Sequence, residues 1–291
     1  METVSLIFIL IMAASSAYPL IKGKRAVIFL VSGNFAVFFG MIFLYFTWIS
    51  EFYHVLYDLI FFPSDLVGLR IYTSISSAFL HIDPMHILMN MVFLFLLGFP
   101  LEIKAGSRKV IIVYLLSAIG GSFLYALLSP SNTPALGASG AISGLMGALL
   151  ALYPRDEIPM FLGPVFMRRV PVYFAAGIFF VTEVAYALVS SGDGVAHTAH
   201  IGGLVAGMLV GMAVSKFSLK KRRHDFSRLM EIADTDELKE MVKMIENEDN
   251  EDVAMAWLSE FLKSARCPKC GGELSMNGNE IRCSCGYRIR I

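Results

Sequence analysis

Seven stretches of this chain are too long and too apolar to be core elements of a small water-soluble domain. They fall at about residues 4–20, 26–49, 82–101, 109–129, 138–153, 170–190 and 198–215. A helix crosses a hydrocarbon layer of about 30 Å with roughly 20 apolar residues, so 138–153 is short for a span and 4–20 is marginal. Only 16% of the residues are charged, against about 25% in an ordinary soluble domain. That contrast excludes a soluble enzyme and points to a polytopic membrane protein, whose 23 Phe and 16 Met suit a lipid-facing surface. Residues 1–19 open with acidic Glu2 rather than the basic region of a secretory signal, so they are expected to stay as an extra N-terminal helix.

The formal net charge of zero conceals a marked asymmetry between loops. Lys22, Lys24 and Arg25 follow the first apolar stretch, Lys104, Arg108 and Lys109 the third, and Arg155, Arg168 and Arg169 the fifth. Lys216, Lys220, Lys221, Arg222 and Arg223 follow the seventh. The alternate loops hold Glu51, Asp58, Asp65 and Asp193, with Arg70 the one clear cation. Basic loops stay on the cytoplasmic side. The expected arrangement is therefore a multi-pass protein of the cell membrane with its N-terminus outside and its C-terminus in the cytoplasm.

From Phe217 the chain becomes charged and amphipathic. Asp234 with Glu237 predicts a capping box for a helix to about Glu246, and Asn250 is a candidate cap for a second helix over 251–264. All four cysteines of the chain follow, as Cys267-Pro-Lys-Cys270 and Cys283-Ser-Cys285. Two close pairs of thiolates can close a tetrahedral zinc site and hold together a segment too small to build a core. A pair of disulfides is the alternative, and the reducing side of the membrane disfavours it. The second pair is C-x-C where a zinc ribbon usually has C-x-x-C, so its turn must differ. Lys269, Arg282, Arg288 and Arg290 lack an aromatic stacking set beyond Tyr287, so a cytoplasmic protein, and not nucleic acid, is the expected partner.

Polar side chains inside apolar segments are costly and are functional hypotheses by default. They form three groups: His81, His86 and Asn90; Ser139 and Ser143; His197 and His200. The predicted topology puts all three on the extracytoplasmic side. Gly140 and Gly144, and the series Gly203, Gly207, Gly211, give small-residue faces along which two helices can approach closely. That approach would bring Ser139 to His200, and a neutral imidazole can remove a hydroxyl proton. His86 and Asn90 lie four residues apart, on one helical face. With the Ser139 backbone N–H at a helix start, they offer donors for an oxyanion.

The order H-x4-H-x3-N, G-x-S-G, A-H-x-G-G resembles the rhomboid family of intramembrane serine proteases. The likeness covers about residues 70–214 and includes Gly98-Phe-Pro-Leu-Glu102-Ile-Lys-Ala-Gly106. It implies an all-α, six-helix core that cleaves single-span or polytopic membrane proteins near their extracytoplasmic ends, using a Ser-His dyad without an aspartate or a catalytic cofactor. Ser139 matches the nucleophile, His200 the base, His86 and Asn90 the oxyanion side, and His81 a structural histidine. Glu102 and Gly106 match a structural motif, and residues 50–80 match a membrane-associated first loop. Leu69-Arg70 retains only the arginine of a Trp-Arg pair found in many relatives. Ser143 stands where some relatives stack an aromatic ring on the catalytic imidazole, so another ring or another contact must orient His200.

The expected division is an N-terminal helix and basic loop over 1–25, a protease core over 26–216, a helical linker over 217–266 and a zinc ribbon over 267–291. Two other classes compete. One is an inactive rhomboid-like protein that binds membrane clients, although such proteins usually lose the serine or the histidine. The other is a membrane metal enzyme or transporter built on His81, His86, His197 and His200. It has no H-E-x-x-H motif, finds no membrane carboxylate beyond Glu183, and leaves the G-x-S-G unexplained.

Overall fold

The computed structural model describes residues 3–128, 131–162, 165–189, 194–216, 225–248, 251–278 and 280–291. The chain divides into two compact units, Met1–Phe217 and Ser218–Ile291. Asp193, Asn250 and the cluster Lys220–Arg223, which entered the loop-charge and capping expectations, lie outside the described residues.

Every apolar stretch of the first unit becomes a helix: α1 (Thr3–Lys22), α2 (Ala26–Thr47), α5 (Pro84–Ala105), α6 (Ser107–Leu128), α7 (Ser139–Leu152), α8 (Val172–Val189) and α9 (His197–Lys216). Six of these are long and apolar enough to cross a membrane, α1 among them. The exception is α7, whose 14 residues extend about 21 Å at about 1.5 Å per residue. The protein is an integral, multi-pass helical membrane protein. Large apolar side chains such as Leu10, Phe39, Phe46, Phe95, Phe123 and Val181 face outward along these helices, where lipid takes the place of a protein neighbour.

Helix ends are set by local chemistry. The Asp83 carboxylate accepts the His86 N–H at 2.8 Å, and Pro84 occupies the first helical position of α5, where no N–H is needed. Gly106, at φ 87°, ends α5 in a conformation that only glycine adopts readily, and α6 restarts at the next residue. The buried Glu102 carboxylate accepts the Val27 N–H at 3.3 Å, the Ser107 hydroxyl at 2.6 Å, and the Ala26 N–H. It thereby supplies the cap that Arg25 does not give α2, with negative charge at the positive end of a helix.

Between α2 and α5 lie α3 (Ile49–Leu59), α4 (Thr73–Ser76) and two short 3-10 turns. Arg70 organises this loop. It pairs with Asp65 at 3.1 Å, donates to the Tyr57 carbonyl at 2.6 Å and lies over the Tyr57 ring at 4.3 Å. Val67 and Leu69 beside it are almost wholly exposed, an apolar tip suited to a lipid surface.

One loop adds a strand pair to the helical architecture. The basic loop after α7 contains an antiparallel hairpin, β1 (Glu157–Leu162) with β2 (Val165–Pro171), in which Glu157 faces Pro171 and Ile158 faces Val170. Its Val, Ile and Phe residues favour a strand, and Val170 and Pro171, assigned from sequence to the next helix, close the hairpin. Lys104 ties the end of α5 to this loop through Asp156 at 2.6 Å.

The centre of the first unit is the contact of α7 with α9, flanked by α6. A methyl group at Gly203 would strike the Gly140 carbonyl, and one at Gly207 the Gly144 carbonyl. Backbone therefore lies on backbone, and dispersion between closely approaching main chains replaces the hydrophobic force that lipid cannot supply.

The second unit contains α10 (Asp236–Asn247), α11 (Glu251–Ser264) and a small antiparallel sheet β3–β4–β5 (Ser275–Asn277, Glu280–Arg282, Arg288–Arg290). The predicted cap moves by one residue. Thr235, rather than Asp234, accepts the Leu238 N–H at 3.2 Å, because its hydroxyl is the one placed before the third helical residue. Leu238, Val242, Leu258, Phe261, Ile281 and Ile289 form the core of this unit.

Candidate active site and metal centre

Ser139 is the first residue of α7 and His200 lies in the first turn of α9. The Ala199 carbonyl, next to His200, sits between two glycines: a methyl group at Gly121 on α6 would stand 2.7 Å from it, and one at Gly140 on α7 would stand 3.4 Å from it. With no side chains in the way, the two helix starts converge. His200 Nε2 then lies 2.7 Å from Ser139 Oγ.

The loop before Ser139 is held by Gly137, whose N–H donates to the Ser77 carbonyl at 2.9 Å and whose φ is 118°. A Cβ at Gly137 would meet His86 Nε2 at 2.7 Å and Asn90 Nδ2 at 3.9 Å. His86 and Asn90 thus face the turn that presents Ser139, and the N–H groups of that turn lie at a helix N-terminus. His81 packs edge-on against His86, with ring centroids 4.9 Å apart. Burial pushes the His81 ring down to about 3, helped by the neighbouring His86, so it stays neutral. Beside Ser139 a cavity of about 40 Å³ is bordered by Ser74, Ser77, Ser122, Tyr125 and the glycines 121, 137 and 140.

One group at the site was noted in the sequence as a lone membrane carboxylate and given no role there. Glu183 Oε2 lies 2.9 Å from His200 Nδ1 and 2.7 Å from His197 Nδ1. Its signal was visible, since a carboxylate inside an apolar helix is expensive unless used. Its partners lie 14 and 17 residues further on, across a helix connection, so no motif links them. The aromatic contact on His200 comes from Phe179, at 6.4 Å between ring centroids, while Ser143 turns its hydroxyl back to the Ser139 carbonyl at 2.7 Å. The four-histidine metal site does not assemble: among the described residues, the groups able to hold an ion are Glu183 with His197 and His200, and the four cysteines.

The cysteine cluster is compatible with a structural metal. Cys267 and Cys285 sulfurs are 3.6 Å apart and Cys270 and Cys283 sulfurs 3.4 Å apart, and all four lie within 4.8 Å of one another. Four thiolates at about 2.3 Å from one tetrahedral ion would be about 3.8 Å apart, so the set fits zinc with a small expansion. The C-x-C turn is closed by the Gly286 N–H donating to the Cys283 carbonyl at 3.0 Å, with Gly286 at φ 89°. A hydrogen bond from the Cys285 N–H holds the Cys283 thiol below its ordinary value.

Comparison with known proteins gives the same direction. The rhomboid domain matches residues 68–217, just over half of the chain. RHOMBOID-like protein 12, mitochondrial, of Arabidopsis thaliana is 29% identical over 164 residues, 50% of this chain and 47% of that protein. Rhomboid protein 1, mitochondrial, of Saccharomyces cerevisiae is 33% identical over 158 residues, 51% of this chain and 43% of that one. Rhomboid protease GlpG of Yersinia pestis is 29% identical over 143 residues, 49% of this chain and 48% of that protein. The chain thus spans under half the length of each of these relatives.

Proposed function

The chain belongs to the rhomboid family, and from that premise we propose that it is an intramembrane serine endopeptidase. Its substrates are single-span or polytopic membrane proteins, cut near their extracytoplasmic ends. The observation that carries this reading is the 2.7 Å contact between Ser139 Oγ and His200 Nε2 at two converging helix starts. In the proposed reaction His200 takes the hydroxyl proton as Ser139 Oγ attacks the scissile carbonyl, then gives that proton to the departing amine. Water next attacks the acyl-enzyme, with His200 again as base. His86, Asn90 and the Ser139 N–H are the oxyanion donors, and His81 supports His86. The loop charges support an extracytoplasmic N-terminus and a cytoplasmic C-terminus. Catalysis needs no cofactor, while Cys267, Cys270, Cys283 and Cys285 hold a structural zinc in a ribbon that binds a cytoplasmic protein.

The test uses purified protein in liposomes with a generic single-span substrate. Ser139→Ala and His200→Ala should each abolish cleavage, and the double variant should be no worse, because each removes the same step. His86→Ala and Asn90→Ala should each lower turnover by about 10²–10³-fold, since other donors remain. EDTA should leave cleavage intact. Full activity in a folded Ser139→Ala protein would refute the reading.

A further inference from the structure

Ser143 leaves the imidazole without the stacked ring that the resemblance implies, and Phe179 reaches it only at a tilt of 34°. Something else must fix which nitrogen of His200 faces the serine. A neutral imidazole carries one N–H, and its position is set by the partner of the other nitrogen.

We infer that Glu183 is a positioning residue of this site: its carboxylate accepts the His200 Nδ1–H, leaving Nε2 free to take the Ser139 proton, and His197 holds the carboxylate in place. The inference rests on the peptidase reading. Its geometry is that of hydrogen bonds. Two ligands at about 2.1 Å from one tetrahedral ion would stand about 3.4 Å apart, whereas the carboxylate oxygen is 2.7 Å and 2.9 Å from the two imidazoles.

The three side chains are largely buried, His200 at 13%, Glu183 at 12% and His197 at 9% exposed, so the carboxylate has little water to compete for it. One stripe of α8 supplies several of the contacts to this pair of imidazoles. Phe179 lies on His200, Glu183 bonds both rings, and Tyr186 stacks on His197 at 5.2 Å and 14°. The spacing 179, 183, 186 is that of one helical face. His197 is the other histidine of the polar group that contains His200. Here its Nδ1 is directed to Glu183, and it is the carboxylate's other anchor.

A purely structural role, in which Glu183 only fastens α8 to α9, predicts a different outcome. Wild type, Glu183→Gln, Glu183→Asp, His197→Ala and Ser139→Ala should be compared in liposomes for kcat, KM, the thermal unfolding midpoint and the rate at which a fluorophosphonate labels Ser139. Glu183→Gln should lower kcat by about 10²-fold or more and slow labelling in parallel, with KM and the midpoint unchanged. Glu183→Asp, which keeps the charge on a shorter arm, should recover part of that loss. His197→Ala, which leaves Glu183 on His200, should keep measurable turnover.

Wild-type kcat in Glu183→Gln, or a loss that follows the unfolding midpoint, overturns the inference. If Glu183→Gln does not fold, Glu183→Asp decides: reduced kcat at unchanged KM and midpoint upholds it, and wild-type kcat overturns it. Wild type no more active than Ser139→Ala would instead sink the peptidase reading, which keeps the two failures apart.

Discussion

The membrane unit and the tail solve the same problem by opposite means. In the first, backbones touch where glycines leave nothing between them, and the fold is a sum of many close contacts spread over α6, α7 and α9. In the second, on the proposed zinc reading, a small sheet with β-strands of only three residues each is pinned at one point by four clustered sulfurs, beside a core that Ile281 and Ile289 share with Leu258 and Phe261. The lesson is that cooperativity is distributed in one unit and concentrated in the other. Damage should therefore be graded in the first and all-or-none in the second.

The sharpest way to break the comparison is at the sulfurs. Cys267→Ser with Cys270→Ser should remove metal from the tail and unfold the sheet, because structural zinc sites in small domains supply about 10–16 kcal/mol of apparent binding energy. Metal content and amide exchange of the full chain would report this. Cleavage by the membrane unit should persist, and its loss would show that the two units are energetically coupled.

A graded response is expected at the helix contact. Gly207→Ala must push the α7 backbone away from α9, an overpacking that typically costs about 1–3 kcal/mol. Thermal unfolding in detergent would measure it, and an unchanged midpoint would mean that the contact is slack. Smaller still should be Glu102→Gln. It keeps the shape but removes the charge that caps α2, an effect of about 0.3–2 kcal/mol, read by the same unfolding experiment.

Sequence made the helical spans legible because apolar length is a property of the chain itself, and residues 4–20 and 138–153 emerge as the full α1 and the short α7. Ser139, His200 and the cysteines could be selected because each stands in a local motif. The hairpin at 157–171 was hidden by its arginines, which read as loop charge although Arg168 and Arg169 lie on a strand. The residue Glu183 was visible, but its role was not, for a different reason. Its importance lies in α8 facing the first turn of α9, a pairing that no local motif around residue 183 announces.

The brevity of α7 has a consequence for supply. A helix of about 21 Å cannot reach both faces of a hydrocarbon layer of about 30 Å, and on the peptidase reading the end left short is the one that carries Ser139. Every completed turnover consumes a water molecule at that end, where the surrounding medium offers none. The cavity of about 40 Å³ beside Ser139, bordered by Ser74, Ser77, Ser122 and Tyr125, holds roughly one or two water molecules. On the peptidase reading the enzyme therefore has about one or two reagent molecules at hand beside the serine.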